Sequence, residues 1–173
     1  MTYALVAILL IVAGILGFAA TRPDAFRLER SILIAAPADR IQPLIADFRS
    51  WRSWSPWENK DPGMTRTLSG AESGVGAAYA WDGNKDIGSG RMEILESSLE
   101  RILIKLDFLR PFEAHNVAEF MLRPEGQGTR VTWAMTGPQP FIGKLMSLVF
   151  SLERMVGPDF ETGLASLKRQ AEA

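Results

Sequence analysis

Residues 141–170 read FIGKLMSLVFSLERMVGPDFETGLASLKRQ. Apolar side chains recur there at Leu145, Leu148, Val149, Leu152, Met155, Val156, Phe160, Leu164 and Leu167. Most of these steps are three or four residues, which gathers the set into one broad stripe of an α-helix. Gly157-Pro158 falls inside the stripe, and a kink or break is expected there. A helix with one wide apolar face must bury it against another layer. What the rest of the chain offers for that purpose decides the fold.

Upstream, the patterning has a period of two. In FRLERSILIAAP, residues 26–37, Phe26, Leu28, Ile32 and Ile34 share one face, and Arg27, Glu29 and Ser31 the other. That is a half-buried strand. After Pro37, ADRIQPLIADF reads as a short helix with Ile41, Leu44, Ile45 and Phe48 inward, and Pro43 in its first turns or at a kink. From Met64 onward the texture is strands: MTRTLSG, GVGAAYAWDGN, SGRMEILESS, RILIKLDF, AHNVAEFMLRPEG and TRVTWAMTG. Asp82-Gly83-Asn84 and EGQG supply turns between them. The order is strand, short helical segment, six strands, long helix. With no second sheet available, the simplest packing curls one antiparallel seven-stranded sheet around the long C-terminal helix, an α+β fold.

The N-terminus is a separate object. Residues 1–20 carry no charged side chain, and Arg22 is the first. The apolar run 3–20 is near the lower limit for crossing a hydrocarbon layer of about 30 Å. It lacks a basic n-region and is longer than a usual h-region, which favours a retained anchor over a cleaved signal peptide. A small-residue stretch at Gly17-Phe18-Ala19 keeps the cleaved reading open, and a buried soluble helix is the third. The domains are therefore an anchor at 1–21, a linker at 22–25 and a folded domain at 26–173. Arg22, Arg27 and Arg30 all follow the span, so the positive-inside rule puts the folded domain in the cytoplasm.

Composition narrows the function classes. The chain has 173 residues, 47% hydrophobic and 23% charged, with a formal charge of −1 and no cysteine. This is a globular composition. It contains no basic tract for nucleic acid, and no thiolate chemistry is available. Nucleophile-elbow, Walker and G-x-G-x-x-G motifs are absent. GAESGVGAAYA is glycine-rich but leads into a strand, so it lacks the geometry of a phosphate loop. His115 is the only histidine and cannot build a multi-histidine metal site. Glu113 shares its face on a strand, whereas Asn116 points the other way. Glu58, Asp61 and Asp107 read as solvated surface charge.

Several stretches resemble the SRPBCC superfamily, the START and Bet v 1-like helix-grip proteins, and among them the bacterial polyketide cyclase/dehydrase-like group. The carriers are RSILIAAP at 30–37, DFRSWRSWSPW at 47–57, SGVGAAYAWDGN at 73–84, GSGRMEI at 88–94, RPF at 110–112, TRVTWAMTG at 129–137 and MVGPDFETGL at 155–164. The resemblance runs from about residue 26 to residue 171. It implies a helix-grip fold with a cavity for a hydrophobic ligand, and it implies no reaction; together with the apolar run at 3–20 the expected location is the inner membrane of a bacterium.

On that fold, Trp51, Trp54 and Trp57 fall where the cavity has its lip. One reading makes them an amphipathic gate with indole N–H groups at the wet rim. The other makes them core that caps the sheet. Tyr79, Trp81, Met92, Phe108, Phe120, Trp133 and Met135 on the strands, with Met146 and Phe150 on the helix, are expected to line an adaptable apolar pocket. His115 is a possible polar contact. No cofactor, metal or catalytic residue is expected. The functional expectation is a membrane-anchored, non-catalytic binder of a hydrophobic small molecule or lipid. The alternatives are an accessory subunit of a larger membrane complex, and a polyketide cyclase-like enzyme.

Overall fold

The computed structural model describes residues 2–173; of the anchor assigned to 1–21, Met1 lies outside the described residues. The elements are α1 (Thr2–Ala20), β1 (Ala25–Ile34), α2 (Ala38–Ala46), a 3₁₀ helix (Phe48–Ser53), α3 (Pro56–Lys60), β2 (Thr65–Gly70), β3 (Ala77–Asp82), β4 (Ser89–Ser97), β5 (Arg101–Arg110), β6 (Ala114–Glu125), β7 (Gly128–Pro138), α4 (Phe141–Met146) and α5 (Leu152–Glu172). The seven strands form one sheet in the order β1-β7-β6-β5-β4-β3-β2. Every pairing is antiparallel. β1 closes against β7 because its even-numbered apolar face continues the face of Val131, Trp133 and Met135: Ile32 pairs with Val131, Arg30 with Trp133 and Leu28 with Met135.

α5 lies across the concave face and runs in the same direction as β1. Arg30, on the inner face of β1, reaches it twice, with Nη2 2.6 Å from Glu153 and Nε 2.8 Å from Glu161. At the other end, Glu172 accepts from the Ala35 amide at 2.6 Å, and Lys168 donates to the Leu33 carbonyl at 2.8 Å. Phe160, Leu164, Leu167 and Ala171 are the buried stripe.

The predicted single long helix is in fact two, and the break is not at Gly157-Pro158, which lies inside α5. Gly157 makes room for Arg30: a Cβ there would come 2.6 Å from the guanidinium Nη2. The interruption falls between Met146 and Leu152. Ser147 Oγ donates back to the Lys144 carbonyl at 2.6 Å, closing α4, and Ser151 is the N-cap that opens α5.

The sheet has two distinct ends. The start of β1, the end of β7, the β3–β4 and β5–β6 connections and the N-terminus of α5 gather at the end next to α1. The β2–β3, β4–β5 and β6–β7 turns and the C-terminus of α5 lie at the far end. α1 is one helix long and apolar enough to cross a membrane by length and composition.

Candidate functional site

The middle of the concave face is filled with aromatic rings. Trp133 of β7 is sandwiched between Phe160 of α5, 4.2 Å away and nearly parallel, and Phe120 of β6, 4.9 Å away. Trp54 and Trp57 meet it edge to face at 5.7 and 5.4 Å. Trp51 packs on Trp54 and Phe120. Aromatic pairs in these geometries gain stability beyond the area they bury.

The gate expected from the tryptophan spacing is not what Trp51 and Trp54 form. Both are buried, and both indole N–H groups are committed inside the protein. Trp51 Nε1 donates to the Ile45 carbonyl at 2.9 Å and Trp54 Nε1 to the Leu44 carbonyl at 2.8 Å. Those carbonyls belong to the last turn of α2, where a helix leaves its C=O groups without partners. The two indoles therefore cap α2 and plug the sheet, the second of the two readings. Trp57 differs, being half-buried against Trp133 and Phe160.

Toward the α1 end the packing loosens. Ile102, Ile104, Phe120 and Val131 have no exposure, whereas Met135, Met92, Asn116 and Leu106 retain 6–9%. Asn116, Leu106, Met92 and Tyr79 form one row across four strands. Half-buried Phe26, Trp57, Trp81, Ile87, Phe108 and Val156 pack against the same core, with Trp81 stacked on Tyr79 and edge-on to Phe108. Of the strand positions predicted to face inward, Tyr79, Trp81, Met92, Phe108, Phe120, Trp133 and Met135 all belong to the core or pack against it.

Two polar groups in this apolar interior are poorly partnered. Trp133 Nε1 is the one buried side-chain nitrogen or oxygen among the described residues without any hydrogen bond. Asn116 is 93% buried, and its carboxamide has a single weak contact, from Nδ2 to the Met135 sulfur at 3.8 Å. Gly137 exists to admit it: a Cβ there would sit 2.0 Å from Asn116 Oδ1 and 2.8 Å from the Phe26 ring. Alternation with Ala118 and Phe120 along β6 marks Asn116 as inward, a signal legible in the sequence.

Two concavities open outside the aromatic core. One, of about 210 Å³, is bounded by Phe48, Arg49, Leu68 and Ala77. The other, of about 260 Å³, lies at the α1 end between Phe26, Pro140, Met146, Phe150, Leu152 and Met155. Met146 and Phe150 therefore do not line the grip of the sheet as expected. The helix interruption before α5 turns them outward, and they are half-exposed.

His115 is likewise off the pocket. It stands on the convex face, 64% exposed, with Nδ1 2.8 Å from Asp107 and Nε2 3.4 Å from Glu113. The hydrogen bond with Asp107 raises the imidazole pKa and lowers that of the carboxyl. Asp107 is its cross-strand partner, eight residues away in sequence but directly opposite in register.

Glu58, read as solvated, is buried. One oxygen accepts from the Tyr79 hydroxyl at 2.7 Å and the other from Arg66 Nε at 2.8 Å. Burial first, and this bond second, push the phenol pKa up, so Tyr79 stays a neutral donor. The triad is internally satisfied and ties α3 to β2 and β3. Among the described residues no cluster of three histidine, cysteine, aspartate or glutamate side chains is placed to hold a metal.

Comparison with known proteins follows the same outline. The family model described as polyketide cyclase / dehydrase and lipid transport matches residues 25–172. No curated protein is similar in sequence. Among solved structures, protein CV1439 from Chromobacterium violaceum superposes with a TM-score of 0.59 at 17% identity, over 87% of this chain and 99% of its own. The di-domain ARO/CYC StfQ from the steffimycin biosynthetic pathway gives 0.64 at 14% identity, over 86% of this chain and 51% of its own, about half its length. The Aha1 dimer from Colwellia psychrerythraea gives 0.60 at 14% identity, over 85% of this chain and 96% of its own. These likenesses are of fold.

Proposed function

The chain belongs to the polyketide cyclase / dehydrase and lipid transport family, and from that premise we propose that it is a membrane-anchored protein that binds a hydrophobic small molecule or lipid without transforming it. The observation that carries this reading is the looser α1 end of the concave face. There, methionines and half-buried aromatics surround one under-partnered amide, Asn116. Met92 and Met135 can repack around ligands of varied shape. Trp57, Trp81 and Phe108 supply flat apolar walls, and the plug of Trp51, Trp54, Phe120 and Trp133 forms a rigid floor. Binding is driven by burial, at about 25 cal/mol per Å² of apolar surface covered. Asn116 sets orientation by meeting the single polar group of an otherwise apolar ligand.

In this reading α1 is a retained anchor in a bacterial inner membrane, with the folded domain on the cytoplasmic side. Arg22, whose guanidinium stands 5.0 Å over the Phe18 ring, marks the exit from the bilayer. The anchor keeps the open end of the sheet near the lipid phase, where such ligands dissolve. A cyclase-like reaction would need a free acid or base on the concave face. Glu58 has both oxygens occupied, and His115 is on the opposite side of the sheet.

The test is native mass spectrometry of the full chain released from detergent, followed by solvent extraction. The expected result is an adduct of roughly a few hundred daltons, the size of a pocket ligand. Leu106→Trp, which fills the site, should abolish it. An adduct that survives Leu106→Trp would overturn the assignment of the site. A second reading, an accessory subunit, draws on Gly14 and Gly17 of α1, which have nothing within 4 Å and leave a bare face for another helix. A bare mass together with a co-purifying membrane protein would favour that reading.

A further inference from the structure

One stretch of the fold presents large apolar side chains to solvent in a density found nowhere else in the folded domain. Between Met146 and Leu152, and on the helices at either side, Ile142 is 68% exposed, Val149 79% and Met155 65%, with Phe141, Met146, Phe150 and Leu152 between 36% and 53%. From Pro138 to Leu152 the only charged residue is Lys144. Only 10% of its side chain is exposed, and its ammonium lies 2.6 Å from the solvent-exposed carboxylate of Asp24 in the linker after α1. That hydrogen bond holds the Asp24 carboxyl below its ordinary pKa, so the pair keeps both charges. The one charge between Pro138 and Leu152 is thus neutralised by the linker carboxylate.

The position of the patch says what covers it. α4 packs against α1 near its C-terminal end, where Ala19 is completely buried. Contiguous apolar surface of this kind marks a binding or membrane surface. We propose that the segment Phe141–Leu152, with Met155 beside it, is a bilayer-docking surface, lying in the interfacial layer of the membrane beside the point where α1 leaves it. The inference rests on the reading of α1 as a membrane anchor. It adds an orientation: the α1 end of the sheet faces the lipid, and the outer concavity between Phe26, Met146, Phe150 and Met155 opens into the acyl region. A short apolar face lying flat in the interface suits such a role, and covalent tethering beside the bilayer lowers the association entropy it must overcome.

The absence of cysteine makes the test clean. Single substitutions Ile142→Cys, Val149→Cys and Met155→Cys in the full chain each accept an environment-sensitive fluorophore. All three positions are exposed, so the label does not disturb the core. Leu10→Cys in α1 reports the anchor. Val75→Cys and Leu99→Cys, 60% and 56% exposed at the far end of the sheet, are the controls. The chain is reconstituted into phosphatidylcholine–phosphatidylglycerol vesicles with or without spin-labelled lipid. Loss of emission is expected at Leu10 from deep quenchers and at positions 142, 149 and 155 from shallow ones, with none at 75 or 99. Quenching at Leu10 with none at the patch overturns the docking surface and leaves the anchor standing. Labels at the patch shielded from both lipid quencher and aqueous iodide would mean that a protein covers it, which also overturns the proposal. No quenching at Leu10 would remove the anchor, and the docking surface with it.

Discussion

A tryptophan whose indole N–H is held by a helix carbonyl cannot use that group on a ligand. This is the position of Trp51 and Trp54. Trp133 is different, stacked on both faces with its N–H unpaired, and Asn116 sits a short way along the same concave surface with only a sulfur for company. On the convex face the informative residue is His115. Its bond to Asp107 raises the imidazole pKa in the folded state, so its contribution to stability is complete below the ordinary imidazole value and disappears as pH rises through the raised one. Asp107 has a lowered pKa, so its contribution is present above the ordinary carboxyl value and disappears as pH falls through the lowered one. The pair therefore favours the fold in the window between. Because His115 is the only histidine, its ring protons titrate alone in an NMR spectrum. The midpoint should lie above that of an unperturbed histidine and fall back toward it in Asp107→Asn, and an unchanged midpoint would refute the pairing.

At the scale of elements, the contact between α5 and the plug is close. Gly163 lies inside α5, where alanine would ordinarily improve helix propensity by about 1 kcal/mol. Here a Cβ would come 2.8 Å from the Trp133 ring and 3.0 Å from Pro56. Trp133 cannot retreat, because Phe120 and Phe160 hold both its faces. Overpacking of this kind costs about 1–3 kcal/mol. Gly163→Ala should therefore lower the melting temperature despite its better propensity, and a rise would show that α5 can shift outward. The division between α4 and α5 has the opposite character. It releases the first part of the apolar stripe from the core and turns it outward beside α1.

For the whole molecule, the two ends of the sheet are chemically unlike. The far end closes with charged turns and the Glu172 and Lys168 bonds to β1. The α1 end carries the loosened interior, the outer concavity and the exposed patch. The core is built from residues between Leu28 and Ala171, with α1 contributing no member. Residues 22–173 without α1 should therefore fold and yet self-associate through the uncovered patch. Light scattering coupled to size-exclusion chromatography would show this. Ile142→Glu, Val149→Glu and Met155→Glu together should restore a monomer, because all three positions are exposed and tolerate charge. A monodisperse segment with the native patch would contradict the expectation.

Local pattern determined most of the architecture. Alternation identified the strands of the sheet and the inward set from Tyr79 to Met135. The uninterrupted apolar run identified α1, and the stripe from Phe160 to Leu167 identified the gripped helix. These properties repeat every two or every 3.6 residues, so a few neighbours suffice to express them. What the tertiary structure alone decided was the fate of side chains whose partners are distant in sequence. Glu58 became buried because Tyr79 and Arg66 converge on it. His115 found Asp107 through strand register. Gly157 is a seat for Arg30 and not a hinge, and Met146 and Phe150 lie outside the core because the helix is interrupted before α5. A periodic stripe shows that a face is apolar. Whether protein or another apolar phase covers that face depends on where the rest of the chain comes to lie.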